Sequence, residues 1–131
     1  MYRWVDHTAE LELELDGATE AEVFRDALAA FADLVADDRG EGEPARYDLG
    51  LDGVDRADLL AQWLDELVFL ADTESFVPER VIELELGDGA LRAVVAGRRA
   101  APRPVVKAVT YHDLRFEHEG GRWRAHVVLD V

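Results

Sequence analysis

The sequence predicts an α+β fold, a single compact domain of mostly antiparallel sheet packed with two main helices. Three observations carry this. Glu10–Leu15 alternates strictly, with Leu11, Leu13 and Leu15 on one face and three glutamates on the other, as a half-buried strand does. Two stretches, one opening after Thr19 and one after Asp55, repeat apolar residues at helical spacing. Beyond them the chain reads as strands joined by glycine turns.

Taken in order, an aromatic-rich start leads into the Glu10–Leu15 strand, and Asp16-Gly17 turns the chain. Thr19 with Glu22 three residues on forms a capping box, and the helix it starts carries Val23, Phe24, Ala27, Leu28, Phe31, Leu34 and Val35 on one stripe. That helix fades at Asp37-Asp38-Arg39-Gly40, where a polar loop runs to Pro44. Tyr47–Leu51 reads as a short strand bounded by Gly53. Asp55 is the N-cap expected for a second helix, with Leu59, Leu60, Trp63, Leu64, Leu67 and Val68 at helical spacing. Val81–Leu86 and Ala90–Ala96 flank Gly87-Asp88-Gly89 as a hairpin. Pro102 and Pro104 interrupt the next stretch, and Val105–His112 fits neither period, so it stays open between short helix and strand. Leu114–His118, Gly120-Gly121 and Trp123–Val131 make a final hairpin. The order is β-β-α-β-α and then mostly β, with no fixed repeat and no linker, which predicts one domain over residues 1–131.

At 131 residues and 49% apolar content the chain is long enough for a core and too apolar for disorder. It has no cysteine, which excludes disulfides, thiolate zinc sites, iron–sulfur clusters and a Cys nucleophile. No apolar run approaches the ~20 residues that cross a bilayer, and Met1–Glu10 lacks the basic-then-apolar order of a signal peptide. A soluble, cytoplasmic protein without membrane partners is expected.

The net charge is −15, against a protein that grips nucleic-acid phosphate with its whole surface. Between Asp88 and Asp113 there is no acid, while Arg92, Arg98, Arg99, Arg103 and Lys107 fall there. Two readings stand: a solvated acidic surface with one ordinary basic loop, or a dipolar protein that shows a basic patch to an acidic partner. Thirteen of the 14 basic residues are arginine, and Lys107 is the one lysine. A site needing a compact ammonium rather than a planar guanidinium would resist that replacement; chance survival is the alternative.

Two places carry chemistry-bearing residues. Asp6-His7-Thr8 sets an acid beside an imidazole and a hydroxyl, either for acid–base work or as a turn with His7 packed; neighbours on extended chain point to opposite faces, so a triad is poorly supported. In Trp123–Val131, Trp123, Ala125, Val127 and Leu129 share one face and Arg124, His126, Val128 and Asp130 the other. Chain ends usually fray, yet this one is patterned to its last residue. The Val131 α-carboxylate then stands beside Asp130, and with a third carboxylate the pair would suit a hard cation; an edge strand ending in a solvated acid is the alternative. No Walker or Gly-x-Gly-x-x-Gly pattern argues for a nucleotide site.

Asp6-His7-Thr8-Ala9, Trp63-Leu64-Asp65-Glu66-Leu67, Lys107-Ala108-Val109-Thr110-Tyr111-His112 and Val128-Leu129-Asp130-Val131 occur in that order. Together they resemble the archease family over essentially the full chain. The resemblance implies an archease or SHS2-like α+β fold and an accessory role, with no catalytic activity of its own. The partner it implies is an RtcB-type RNA ligase that uses GTP and a divalent metal in tRNA splicing and RNA repair. The accessory protein promotes ligase guanylylation and multiple turnover, and meets tRNA only through the ligase. It further implies that Asp6, Asp130 and the Val131 carboxylate hold a divalent cation (Ca²⁺, with Mg²⁺ or Mn²⁺ as alternatives), and that Asp6, Lys107 and Asp130 are required for function. Glu10 stands where the family usually has Asp, a conservative change. His7, Arg98, Arg99 and Arg103 are candidate partner contacts. Two competing classes are a small metal-dependent phosphohydrolase using Asp6, His7 and Asp130, and an interaction module whose carboxylates are structural.

Overall fold

A computed structural model of the chain describes residues 1–7, 9–36 and 41–131, with the side chain of His7 outside that set. Seven strands and two helices run in the order β1 (Tyr2–His7), β2 (Glu10–Gly17), α1 (Glu20–Val35), β3 (Glu43–Asp52), α2 (Arg56–Glu74), β4 (Phe76–Gly87), β5 (Ala90–Arg99), β6 (Ala108–Glu119) and β7 (Arg122–Asp130). They form two antiparallel sheets, ordered β1-β2-β7-β6 and β3-β5-β4. The expected α+β class is the one found.

Both helices start where the caps predict. Thr19 Oγ1 accepts from Glu22 N–H at 3.1 Å, and Asp55 Oδ1 accepts from Asp58 N–H at 2.8 Å, each satisfying a donor that the first turn leaves unpaired. The predicted stripes face inward. Val23, Phe24, Leu28 and Phe31 of α1 meet Leu60, Trp63, Leu64 and Leu67 of α2 within one core cluster, which the Leu13, Leu15, Val127 and Leu129 side of one sheet and the Leu49, Leu91 and Val95 side of the other complete. Trp63 is fully buried at its centre; its indole N–H donates to Phe24 O at 3.0 Å, and its ring meets the Phe24 ring edge-on. Burial of an indole needs such a partner for its one donor.

β2 runs on through Asp16-Gly17, expected as a turn, and β5 runs on to Arg99, past the expected end at Ala96; three further elements differ from the sequence reading. β3 runs from Glu43 to Asp52 rather than 47–51, because β5 offers backbone partners along its whole length. β4 begins at Phe76, five residues before its alternation becomes legible; two register irregularities, at Pro78/Arg80 and Val81/Glu83, break the period. As an edge strand it tolerates Pro78, whose missing N–H costs no central ladder bond. The ambiguous 105–112 stretch divides, with β6 starting at Ala108 and its pairing to β7 interrupted between Thr110 and Arg115. The 37–40 part of the polar loop lies outside the described residues. No helix among the described residues is long and apolar enough to cross a membrane.

Candidate functional site

β7 is an interior strand, flanked by β2 and β6, not an edge. That arrangement brings three separate sequence motifs to one end of the four-stranded sheet. Glu10 of β2, Asp130 of β7 and Ala108 of β6 stand in one cross-strand row. The Lys107 N–H donates to Asp130 O at 2.8 Å, and the Val131 N–H donates to Ala9 O at 3.2 Å, so the last residues are tied on both sides. Ala9 holds φ 62°, a left-handed value in the β1–β2 turn that a side chain tolerates only under surrounding constraint.

Residues paired across strands share a face, and successive residues alternate. Asp6 pairs with Leu11, which pairs with the core residue Leu129. Asp6 therefore stands one row from Asp130, on the helix-side face, and is exposed there at the edge strand. Asp130 faces the other way together with Glu10. Lys107, two residues before Val109, is on the Asp6 side by the same alternation, since Val109 pairs with Leu129. Asp6, Lys107, Asp130 and Val131 thus share one strand end, with Asp6 and Lys107 on one face of it and Asp130 on the other. The residue that sequence reasoning passed over is Glu10. Its signal was present, as the one departure in an otherwise matching motif, but only the β2–β7 register reveals that it stands opposite Asp130.

The face that Glu10 shares is an acid ladder. Glu10, Glu12, Glu14 and Asp16 all project from the same side of β2. Three of them meet cations or an imidazole. Arg122 pairs with Asp16 and Arg3 with Glu14, and His126 Nε2 lies 2.9 Å from Glu12 Oε1. The His126 ring is buried and its Nδ1–H donates to Asp113 O at 2.8 Å, which pins the interrupted segment of β6. Hydrogen bonding to Arg122 holds the Asp16 carboxyl below the usual carboxylate range. No cation among the described residues stands against Glu10 or Asp130. Like charges directly opposite on neighbouring strands repel, so among the described side chains this row is the place on the ladder where no positive charge answers the acids. The donors there are hard carboxylate oxygens, the set that suits Ca²⁺, Mg²⁺ or Mn²⁺. Among the described residues no three His, Asp or Glu side chains cluster closely enough to hold a metal unaided, so a cation there needs a further ligand.

The Lys107–His112 motif also reaches α2. Tyr111 OH donates to Asp58 Oδ1 at 2.9 Å. Asp58 additionally accepts from Val54 N–H and from Gln62, and these bonds, Val54's first, hold its carboxyl below the usual carboxylate range. Burial, then the Asp58 bond, pushes the Tyr111 phenol up. A carboxyl with a depressed native pKa adds stability that is present above the unfolded value and lost as pH falls through the native one. Asp58→Asn should therefore flatten the acid limb of a thermal-denaturation profile below about pH 4 relative to the unmodified chain. An acid limb of unchanged slope would deny the carboxylate this role.

The remaining candidates separate. Arg98 and Arg99 are consecutive on β5 and face opposite ways; Arg99 donates to Tyr47 OH at 3.1 Å, on the helix side. The Arg103 N–H caps α1 by donating to Val35 O at 2.8 Å. His7 pairs with Glu10 in the β1–β2 register.

Two antiparallel sheets around a helix pair, with the Glu10 and Asp130 carboxylates side by side at one strand end, define the class: a small α+β protein with an acidic sheet end. The chain belongs to the archease family, since residues 2–131 match the model described as the Archease protein family (MTH1598/TM1083). It is 37% identical to protein archease of Archaeoglobus fulgidus over 135 residues, covering 99% of this chain and 98% of that protein. It is 33% identical to protein archease of Methanosarcina mazei over 141 residues, covering 99% and 95%. Among solved structures it resembles the solution structure of Methanobacterium thermoautotrophicum protein 1598, with TM-score 0.74, 31% identity, and 99% and 98% of the two chains covered. The crystal structure of an archease from Thermotoga maritima, described as a "possible chaperone", shares the fold with TM-score 0.70 at 20% identity, covering 100% and 98%.

Proposed function

We propose that this chain is an accessory activator of an RtcB-type RNA ligase, acting in the cytoplasm in tRNA splicing and RNA repair. It promotes ligase guanylylation and multiple turnover and does no ligase chemistry itself. The observation that supports this most is the convergence of the Asp6, Lys107 and Asp130 motifs on one strand end, although Asp6 lies over 100 residues from the other two in sequence. The "possible chaperone" description of the Thermotoga protein is in keeping with a role exerted on a partner protein.

The same strand end is the proposed cation site. Asp130 and its cross-strand neighbour Glu10 supply two carboxylates and the Val131 α-carboxylate a third, while Asp6 stands one row away on the opposite face of the same strand end. A bound Ca²⁺ (or Mg²⁺ or Mn²⁺) would neutralise this row and supply a charged contact for the ligase. Lys107 carries its ammonium at the same strand end, on the Asp6 face and on a backbone anchored to Asp130. The acidic chain carries little affinity for free tRNA, which it meets through the ligase.

The test is a ligase reaction on broken RNA with GTP, run with and without this chain. Multiple turnover should appear with the chain present, and the chain alone should turn over neither RNA nor nucleotide. Lys107→Arg should impair activation while moving stability by no more than ~0.5 kcal/mol, because the residue is exposed and a guanidinium does not reproduce a compact ammonium. Full activation by that variant would return the lone lysine to chance. Hydrolysis by the chain alone would favour the phosphohydrolase reading with Asp6, His7 and Asp130.

A further inference from the structure

The outer face of the β3-β5-β4 sheet gathers arginines that the linear sequence keeps apart. Arg46 of β3, Ala96 of β5 and Arg80 of β4 form one cross-strand row. Arg98 stands two residues further along β5, on the same face. With strands about 4.8 Å apart, two guanidinium-bearing residues flank a single methyl side chain. They border an open hollow of about 500 Å³ whose lining includes Arg46, Arg80, Arg98 and Glu79.

Placing three guanidinium groups around one hollow costs free energy, and this chain had the means to avoid it. Its acids outnumber its bases 29 to 14, yet among the described residues of this lining Glu79 is the one acid. Arg98 is the informative member. Its side chain is 14% exposed, its Nε is closed to solvent, and that Nε has no hydrogen-bond partner among the described residues. The nearest carboxylate oxygen, Glu79 Oε2, is 3.8 Å away, beyond hydrogen-bonding reach. An unsatisfied buried donor on a charged group is among the costlier features a fold retains. An oxyanion in the hollow offsets the repulsion among the three guanidinium groups.

We propose that the Arg46–Arg80–Arg98 hollow is a binding site for a compact phosphate group. A tetrahedral phosphate dianion presents acceptors in several directions and matches guanidinium forks converging from three strands, whereas a planar carboxylate serves two. The site takes a small ligand and not an extended polyanion. The next row along this face is acidic, with Asp48 and Glu83 flanking Val94. Those carboxylates begin about 7 Å away and repel a phosphate chain running along the sheet. The site is separate from the acidic strand end, which belongs to the other sheet.

Titration of the full chain with inorganic phosphate and pyrophosphate, in the presence of a chelator and followed by calorimetry or ³¹P NMR, tests this without involving the cation site. One saturable site is expected. Arg46→Gln and Arg80→Gln, both at exposed positions that leave the fold intact, should each weaken pyrophosphate about tenfold. Arg98→Gln should weaken it at least as much. Arg92→Gln, on the same face beyond the acidic row, should leave it unchanged. No binding up to about 10 mM would overturn the proposal, as would equal affinity in the Arg46 and Arg80 variants. Tighter binding of a single-stranded RNA hexamer than of pyrophosphate would overturn the compact-ligand reading.

Discussion

Asp130→Asn and Glu10→Gln are each expected to remove the stabilisation that Ca²⁺ would confer at the proposed cation site, while leaving the metal-free chain as stable as before or slightly more so. The two halves of this result have one cause. Without a cation, Glu10 and Asp130 face each other across β2 and β7, and the pair is repulsive by a few tenths of a kcal/mol to about 1 kcal/mol. Neutralising either side chain relieves that repulsion. With a cation at a hundred times its dissociation constant, the unmodified chain gains about 2.7 kcal/mol by mass action. A variant that lacks a ligand gains almost nothing at the same concentration. Melting curves with chelator and with Ca²⁺ read both effects in one protein. Asp6→Asn, on the opposite face one row away, should lower the metal-dependent gain less than either of the other two. A metal-dependent shift undiminished in Asp130→Asn would remove the cation from this strand end.

Trp63→Ala should destabilise the chain by about 3–5 kcal/mol, a large share of the stability a domain of this size has. Trp63 is fully buried among α1, α2 and the sheets, and truncation leaves a void that rigid helices and strands on all sides cannot close. It also removes the indole donor to Phe24 O and the edge contact with the Phe24 ring. Trp63→Phe keeps much of the volume and loses the hydrogen bond, so it should cost about 1–3 kcal/mol. Urea unfolding checks both, with the midpoint falling and the denaturant slope unchanged if the folded state stays compact. A cost below ~1 kcal/mol for Trp63→Ala would mean that the core relaxes into the space.

Local signals proved legible wherever a short-range rule decides the structure. The Thr19–Glu22 and Asp55 caps, the two helical stripes and the Glu10–Leu15 alternation depend on neighbours within one turn or one pleat, and each is found in place. The bounds of β3, β4 and β6 were not legible, because a strand extends as far as a partner backbone accompanies it. Glu43–Arg46 alternates no better than a loop, yet β5 pairs with it. Likewise Thr110–Arg115 loses its period because β7 skips those residues, while Tyr111 reaches across to Asp58 and His126 bonds Asp113 O.

By itself the sequence determined that this is an α+β domain with two capped helices, that it is strongly acidic, and that Asp6, Lys107, Asp130 and Val131 belong to motifs of the archease pattern. Period, capping and composition are properties of the chain alone. Tertiary structure decided which of those residues are neighbours. Inserting β7 between β2 and β6 put Glu10 opposite Asp130, the β1–β2 register set Asp6 on the other face, and pairing β5 with both β3 and β4 collected Arg46, Arg80 and Arg98 around one hollow. Strand order and register join residues tens of positions apart. A shift of one residue in that register would exchange the faces and dissolve both proposed sites, and no local pattern in the chain encodes it.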